Sequence, residues 1–190
     1  SKKLNKRFSR QSWQKNDIHT NQGRSMTSWE IIPEFPAYLV SDRGTIQRRS
    51  DTMVMSVSMT PEGNLKVGLT VDKHQHHRSV ARLVAEAYLP PPINAAFDTP
   101  IHLDGNKRNC HVENLMWRPR WFAVRYHQQF KHYIKYGPLI DLPIRNRETG
   151  SSYKNSWDLA TTEGLLDRDV QLAMINGTYT WPNYQQYVIN

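Results

Sequence analysis

The sequence predicts a small modular α+β protein, and three observations predict it. Between Trp29 and Val71, side chains alternate in short runs separated by turn residues, the pattern of strands. Over residues 79–89, and again from Pro119, apolar residues recur at helical spacing. Gly137-Pro138 then breaks the chain before a last segment in which a hairpin pattern precedes two short helical ones.

The first strand lies in WEIIPEFPAYLVSDRGTI, with Ser41-Asp42-Arg43-Gly44 as a turn and a return strand from Thr45. MVMSVSM (53–59) alternates as a strand, Pro61-Glu62-Gly63-Asn64 is a turn, and LKVGLTV (65–71) alternates again. SVARLVAEAYL puts Val80, Leu83, Val84, Ala87 and Tyr88 at helical spacing, and Pro90-Pro91-Pro92 stops that helix. Ile101-His102-Leu103 reads as a short strand and Asp104-Gly105-Asn106 as its turn. Pro119 suits the first turn of a helix over RWFAVRYHQQFKHYI. LPIRNRETGSSY is a hairpin with Glu148-Thr149-Gly150 at its tip. NSWDLATTEGLLDRDVQLAMING is two helices split by Gly164 and capped by Asn155 and Asp167, as in a helix-turn-helix pair. TWPNYQQYVI closes the chain as a strand. The implied units are a basic arm (1–27), a β-module (28–72), a central core (73–136) and a C-terminal hairpin with helix pair (137–190).

Of the formal +8 charge, most sits in the arm: residues 1–27 hold seven Lys or Arg against one acid, Asp17. Such an arm is a phosphate binder through counterion release, or else a solubilising tail. Mean hydropathy is -0.72, and no apolar run approaches the ~18 residues of a membrane span, so a soluble chain with no membrane partner is expected. A single cysteine, Cys110, excludes an intramolecular disulfide framework and a Cys-rich zinc ribbon.

The chemistry concentrates in IHLDGNKRNCHVENLMW, residues 101–117. A histidine on a strand, followed by a turn and a helix, suits phosphodiester hydrolysis: the imidazole deprotonates water while a divalent cation neutralises the developing charge. His74, His76 and His77 also cluster, but without cysteine or acidic partners, and read as a solvated turn before the first helix.

WEIIPEFPAYLVSDRGTI, SVARLVAEAYLP, IHLDGNKRNCHVENLMW and IRNRETGSSYKNSWDLATTEGLLDRDVQLAMINGTY, in that order, resemble the phage HNH homing endonucleases over nearly everything after residue 28. The resemblance implies an N-terminal DNA-binding β-module, a ββα-metal (His-Me finger) HNH core and a C-terminal helix-turn-helix-like module. It also implies DNA nicking with Mg²⁺ or Mn²⁺, in the cytoplasm of an infected bacterial host. His102 matches the general base and Asn114 the residue that orders the loop, with Asn109 and Trp117 in the middle of the motif. The two metal-ligand positions fall on Ile101 and about Ala123, which hydrocarbon side chains cannot serve. Asp104 and His127 are the candidate substitutes.

Two readings therefore stand. One is an enzyme that nicks or cleaves DNA with His102 and a divalent cation. The other is a nuclease-dead descendant, with a degenerate site and no cofactor, that binds nucleic acid or protein within a larger assembly. The nucleic-acid candidates, for DNA ahead of RNA, are Lys2, Lys3, Lys6, Arg7, Arg10, Lys107, Arg108, Arg118, Arg120, Arg168 and Gln171, with Arg125 alongside. Asp167 and Asp169 at the start of the last helix would oppose its entry to DNA. Tyr179, Trp181, Tyr184 and Tyr187 are expected in the packing of the small C-terminal module.

Overall fold

The computed structural model describes residues 27–190, so the arm candidates Lys2, Lys3, Lys6, Arg7 and Arg10 lie outside the described residues. The described residues adopt the expected α+β class, as four small antiparallel sheets and four α-helices.

Strands β1 (Trp29–Ile31), β2 (Tyr38–Ser41) and β3 (Ile46–Arg48) form the first sheet, in that order. At the β2–β3 turn, Gly44 has φ +84°, and a Cβ there would lie 2.9 Å from the Cys110 Cβ, so glycine lets the turn close onto the motif loop. The second sheet comprises β4 (Val57–Met59), β5 (Leu65–Val71) and β6 (His74–Ser79). Only the end of MVMSVSM is strand; Val54 makes one isolated bridge to Gln47. His74, His76 and His77 lie in β6, not in a turn, because the reversal occurs earlier, at Asp72 and Lys73 with positive φ. The Ser79 hydroxyl then accepts from the Arg82 N–H at 3.4 Å and starts helix α1 (Val80–Tyr88).

One core joins these elements: Val40 and Ile46, Val67 and Leu69, Val80 and Val84 pack together with Cys110 and Leu115 from the motif. Residues 72 and 73, where a unit boundary was expected, form the exposed tip of the β5–β6 hairpin, and Val67 and Leu69 before it share one core with Val80 and Val84 after it.

The motif forms strand β7 (Thr99–His102) and strand β8 (Leu115–Arg118), paired with Ile101 opposite Met116 and His102 opposite Leu115. Helix α2 (Arg120–Tyr136) follows and packs on β7 through Ile101, Phe122, Ala123 and Tyr126. Two strands and a helix, in this order, make a ββα finger.

In the C-terminal part, β9 (Ile144–Asn146) pairs with β10 (Ser152–Tyr153) on one side and β11 (Tyr187–Ile189) on the other. Helices α3 (Ser156–Glu163) and α4 (Asp167–Asn176) stand between β10 and β11 in the chain. Asn155 caps α3 as expected, its side chain accepting from Asp158 N–H at 2.9 Å. Leu166, not Asp167, occupies the α4 cap position. The reason is burial: the Asp167 carboxylate is inside, accepting from Leu139 N–H at 3.1 Å, while its own N–H donates to Gln129 at 2.9 Å.

Arg118 fastens this module to the finger. It is 7 % exposed, and its guanidinium donates to the carbonyls of Gly164 at 3.0 Å, Glu163 at 2.9 Å and Trp117 at 2.9 Å. Two of these carbonyls lie at the C-terminal end of α3, where a cation also complements the helix dipole. Among the described residues no helix is long and apolar enough to cross a membrane. Replacing Arg118→Met leaves these carbonyls without their donors and is expected to cost about 2–4 kcal/mol of unfolding free energy in urea. Arg125→Ala, on the exposed face of α2, is the control and is expected to change it by less than about 0.5 kcal/mol.

Candidate active site

The turn after β7 is held by its own polar side chains. Asn114 accepts from Asp104 N–H at 3.0 Å and donates to the Asp104 carboxylate at 2.9 Å and to the Asn109 carbonyl at 2.8 Å. Asn109 donates to the other Asp104 oxygen at 2.8 Å, and Asn106 N–H to the first at 2.8 Å. Gly105 sits at φ +73° with the Phe130 ring 2.6 Å from where a Cβ would stand. Asn114 is thus placed as a loop-ordering residue, and both oxygens of Asp104 are committed to the loop.

His102 ends β7 at 3 % exposure. Its Nε2 lies 3.9 Å from the Cys110 sulfur, whose thiol points at the Lys107 carbonyl, also 3.9 Å away. We assign the Nε2–H tautomer to His102 on this arrangement, in which the sulfur accepts and the lone pair is on Nδ1. That Nδ1 is buried and has no hydrogen-bond partner. Burial, and next the neighbouring His127, push the imidazole down from its usual value to about 4, with Asp104 acting weakly the other way. Burial likewise raises the Cys110 thiol to about 11, so it stays protonated.

His127 lies one turn beyond Ala123 on α2. Its Nδ1–H donates to the Ala123 carbonyl at 2.8 Å, which leaves its Nε2 as the lone-pair nitrogen, again buried and without a partner. The two imidazole rings are 5.7 Å apart. Burial depresses His127 as well.

His102 also lines a groove of about 420 Å³ between β5, β6 and β7, whose walls carry Lys66, Arg78 and Arg82 with Glu62 and Asp98. Arg78 and Arg82 are paired with the exposed carboxylates of Glu34 (3.2 Å) and Glu86 (2.8 Å), surface pairs that exchange easily for a phosphate. These three cations were not singled out by sequence. They come from a strand pair and a helix, and only the pairing register brings them beside residue 102.

The other candidates separate. Arg118 was expected at a phosphate and is instead buried as the clamp on α3. Lys107 donates to the Glu62 carbonyl at 2.9 Å. Arg108, Arg120 and Arg125 are exposed, and α2 contains no acid. On α4, Arg168 is exposed and Gln171 half-buried. Trp117 packs against the main core. Trp181 stacks on Trp121 at 5.2 Å and Tyr187 is buried, whereas Tyr179 and Tyr184 are exposed.

A hard cation does not fit the two positions the resemblance assigns to it. Ile101 and Ala123 pack together inside the β7–α2 core at 0 % and 5 % exposure, and both oxygens of Asp104 accept hydrogen bonds from its own loop. Among the described residues no three His, Cys, Asp or Glu side chains cluster as a metal site.

Fold and site together define a ββα-finger protein with a neutral histidine at the end of its first strand. Over 80 residues the chain is 29% identical to a protein described as an uncharacterized HNH endonuclease, L245, of Acanthamoeba polyphaga mimivirus. That match takes in 42% of this chain and 24% of the length of the viral protein, so this chain spans about a quarter of its relative. A solved structure, described as DNA binding and cleavage by the HNH homing endonuclease I-HmuI, aligns with 86% of this chain and 99% of its own at 19% identity and a TM-score of 0.47. No protein-family model matches the chain.

The burial of His102 has a measurable pH signature. The unfolded imidazole takes up its proton near pH 6.5 and the folded one only near 4, so stability falls as pH drops through that window, by on the order of 3 kcal/mol for this group. Nuclear magnetic resonance of the His102 ring is expected to show no titration between pH 8 and about 5.5, and a midpoint near 6.5 would contradict the burial described.

Proposed function

We propose that this chain is a DNA-binding protein of the HNH endonuclease type that hydrolyses a phosphodiester with His102 as the general base. The observation that carries this reading is the unpartnered Nδ1 lone pair of a neutral imidazole beside a groove rimmed by Lys66, Arg78 and Arg82. The likeness to the viral HNH endonuclease supports it.

In this reading the strand backbone lies along the groove, where the three cations offset phosphate charge. Water attacks phosphorus while His102 Nδ1 takes its proton; the bond to the 3′ oxygen breaks, and that oxygen is protonated by solvent. The imidazolium then returns its proton to solvent. Because residues 101 and 123 cannot supply oxygen ligands, nicking is slow and little changed by Mg²⁺. The acid-free face of α2, with Arg120, Arg125, Lys131 and Lys135, extends the cationic surface. Arg168 and Gln171 on α4 are the candidate base readers, with Asp167 withdrawn into the core and only Asp169 opposing them.

A second reading is favoured by the hydrocarbon seam itself: with Ile101 and Ala123 in the core, the protein binds DNA and does not cut it. Supercoiled plasmid decides between them. The first reading expects nicking, with or without Mg²⁺ or Mn²⁺, that falls at least about 10²-fold in His102→Ala. DNA binding with equal or no nicking in the two proteins would support the second. Retention on DNA is expected to weaken steeply with salt, with a smaller slope for Lys66→Ala/Arg82→Ala.

A further inference from the structure

Two lone pairs in the finger have no partner. His102 Nδ1 and His127 Nε2 are both buried and unsatisfied, on rings 5.7 Å apart; the other such side-chain atoms among the described residues are Asp42 Oδ1, Trp117 Nε1 and Asp167 Oδ1. We propose that these two nitrogens form a site for a borderline divalent cation of the zinc class, and that its occupancy silences His102 as a base.

The geometry suits such an ion. A cation about 2.1 Å from each of two imidazole nitrogens, at a near-tetrahedral angle, sets the ring centroids roughly 5–6 Å apart. The far nitrogens are already arranged as in metal-binding histidines, which hand their second N–H to a carbonyl or other acceptor. His127 gives its Nδ1–H to the Ala123 carbonyl at 2.8 Å, and His102 directs Nε2 to the Cys110 sulfur at 3.9 Å. In these tautomers the lone pairs fall on His102 Nδ1 and His127 Nε2, the two unpartnered nitrogens. Imidazole selects Zn²⁺, Co²⁺ or Ni²⁺ over Mg²⁺. Asp104 is tied to its loop by bonds from Asn106, Asn109 and Asn114, and the two imidazoles alone make up the protein's share of the set. Solvent or a phosphate oxygen completes the coordination.

The silencing half rests on the reading of His102 as base: one lone pair cannot both hold a cation and accept a proton. The binding half does not depend on that reading. Titrating the full chain, labelled with ¹⁵N-histidine, with Zn²⁺ alone is expected to move His102 Nδ1 and His127 Nε2 together and to saturate them at one equivalent. His127→Gln, with an unchanged melting profile, is expected to weaken Zn²⁺ binding by more than about tenfold. Zn²⁺ shifts confined to His74, His76 and His77, or equal affinity in His127→Gln, would overturn the site. If the site binds and wild-type nicking is not inhibited at saturating Zn²⁺, the silencing is overturned and the site stands. If His102-dependent nicking occurs and no Zn²⁺ binds, only the cation inference fails.

Discussion

The packing of Ile101 against Phe122, Ala123 and Tyr126 is the contact on which the centre of this molecule depends. It seals helix α2 to strand β7 with hydrocarbon. With Ile101 packed on α2, the next residue, His102, ends the strand beside the groove, Cys110 and the His127 ring of α2. The same seam sets the electrostatics: an imidazole in such surroundings loses hydration that only its charged form needs, so it stays neutral. Stability and chemistry are thus opposed at two positions. Side chains that would serve a hard cation at 101 and 123 would be costly in a dry seam without one, and those present give the seam its packing.

Around that seam the rest is arranged by buried polar groups that found partners. Arg118 and Asp167 are both inside, and each bonds across the interface between finger and C-terminal module, Arg118 to two carbonyls at the end of α3 and Asp167 through its N–H to Gln129, while one of its two carboxylate oxygens accepts from Leu139 N–H. Gln129 bridges the same two parts, donating to the Leu165 carbonyl at 3.1 Å and accepting from Asp167 N–H. Such contacts set register and orientation more than they add net stability. Their effect is to hold α3 and α4 at one angle to the ββα finger.

The local elements were legible in the sequence because punctuation and periodicity agreed. Pro119 and Asn155 open helices, Gly164 and Gly177 close them in left-handed conformation, and the alternation of residues 65–71 is a strand. Where a side chain had two uses, sequence chose the wrong one. Asp167 looked like a cap and Arg118 like a phosphate ligand, yet both are fasteners between units, which no local pattern encodes. The loop role of Asn114 was legible from the motif, whereas the partnership of Cys110 with His102 and the approach of His127 depend on long-range packing. The groove cations Lys66, Arg78 and Arg82 were hidden for the same reason: they are far apart in the chain from residue 102.

Thermal melting in millimolar Mg²⁺ tests the central claim most directly, since an ion that binds only the folded protein raises its stability in proportion to RT ln(1 + [L]/Kd). With Ile101 and Ala123 closing the seam, the wild-type chain is predicted to melt at the same temperature with and without the ion, while Ile101→Asp/Ala123→Asn, less stable by itself, gains stability when Mg²⁺ is added. A wild-type protein raised by Mg²⁺ as much as the double variant would contradict the account, because it would mean that oxygen donors already hold the ion where the structure places hydrocarbon.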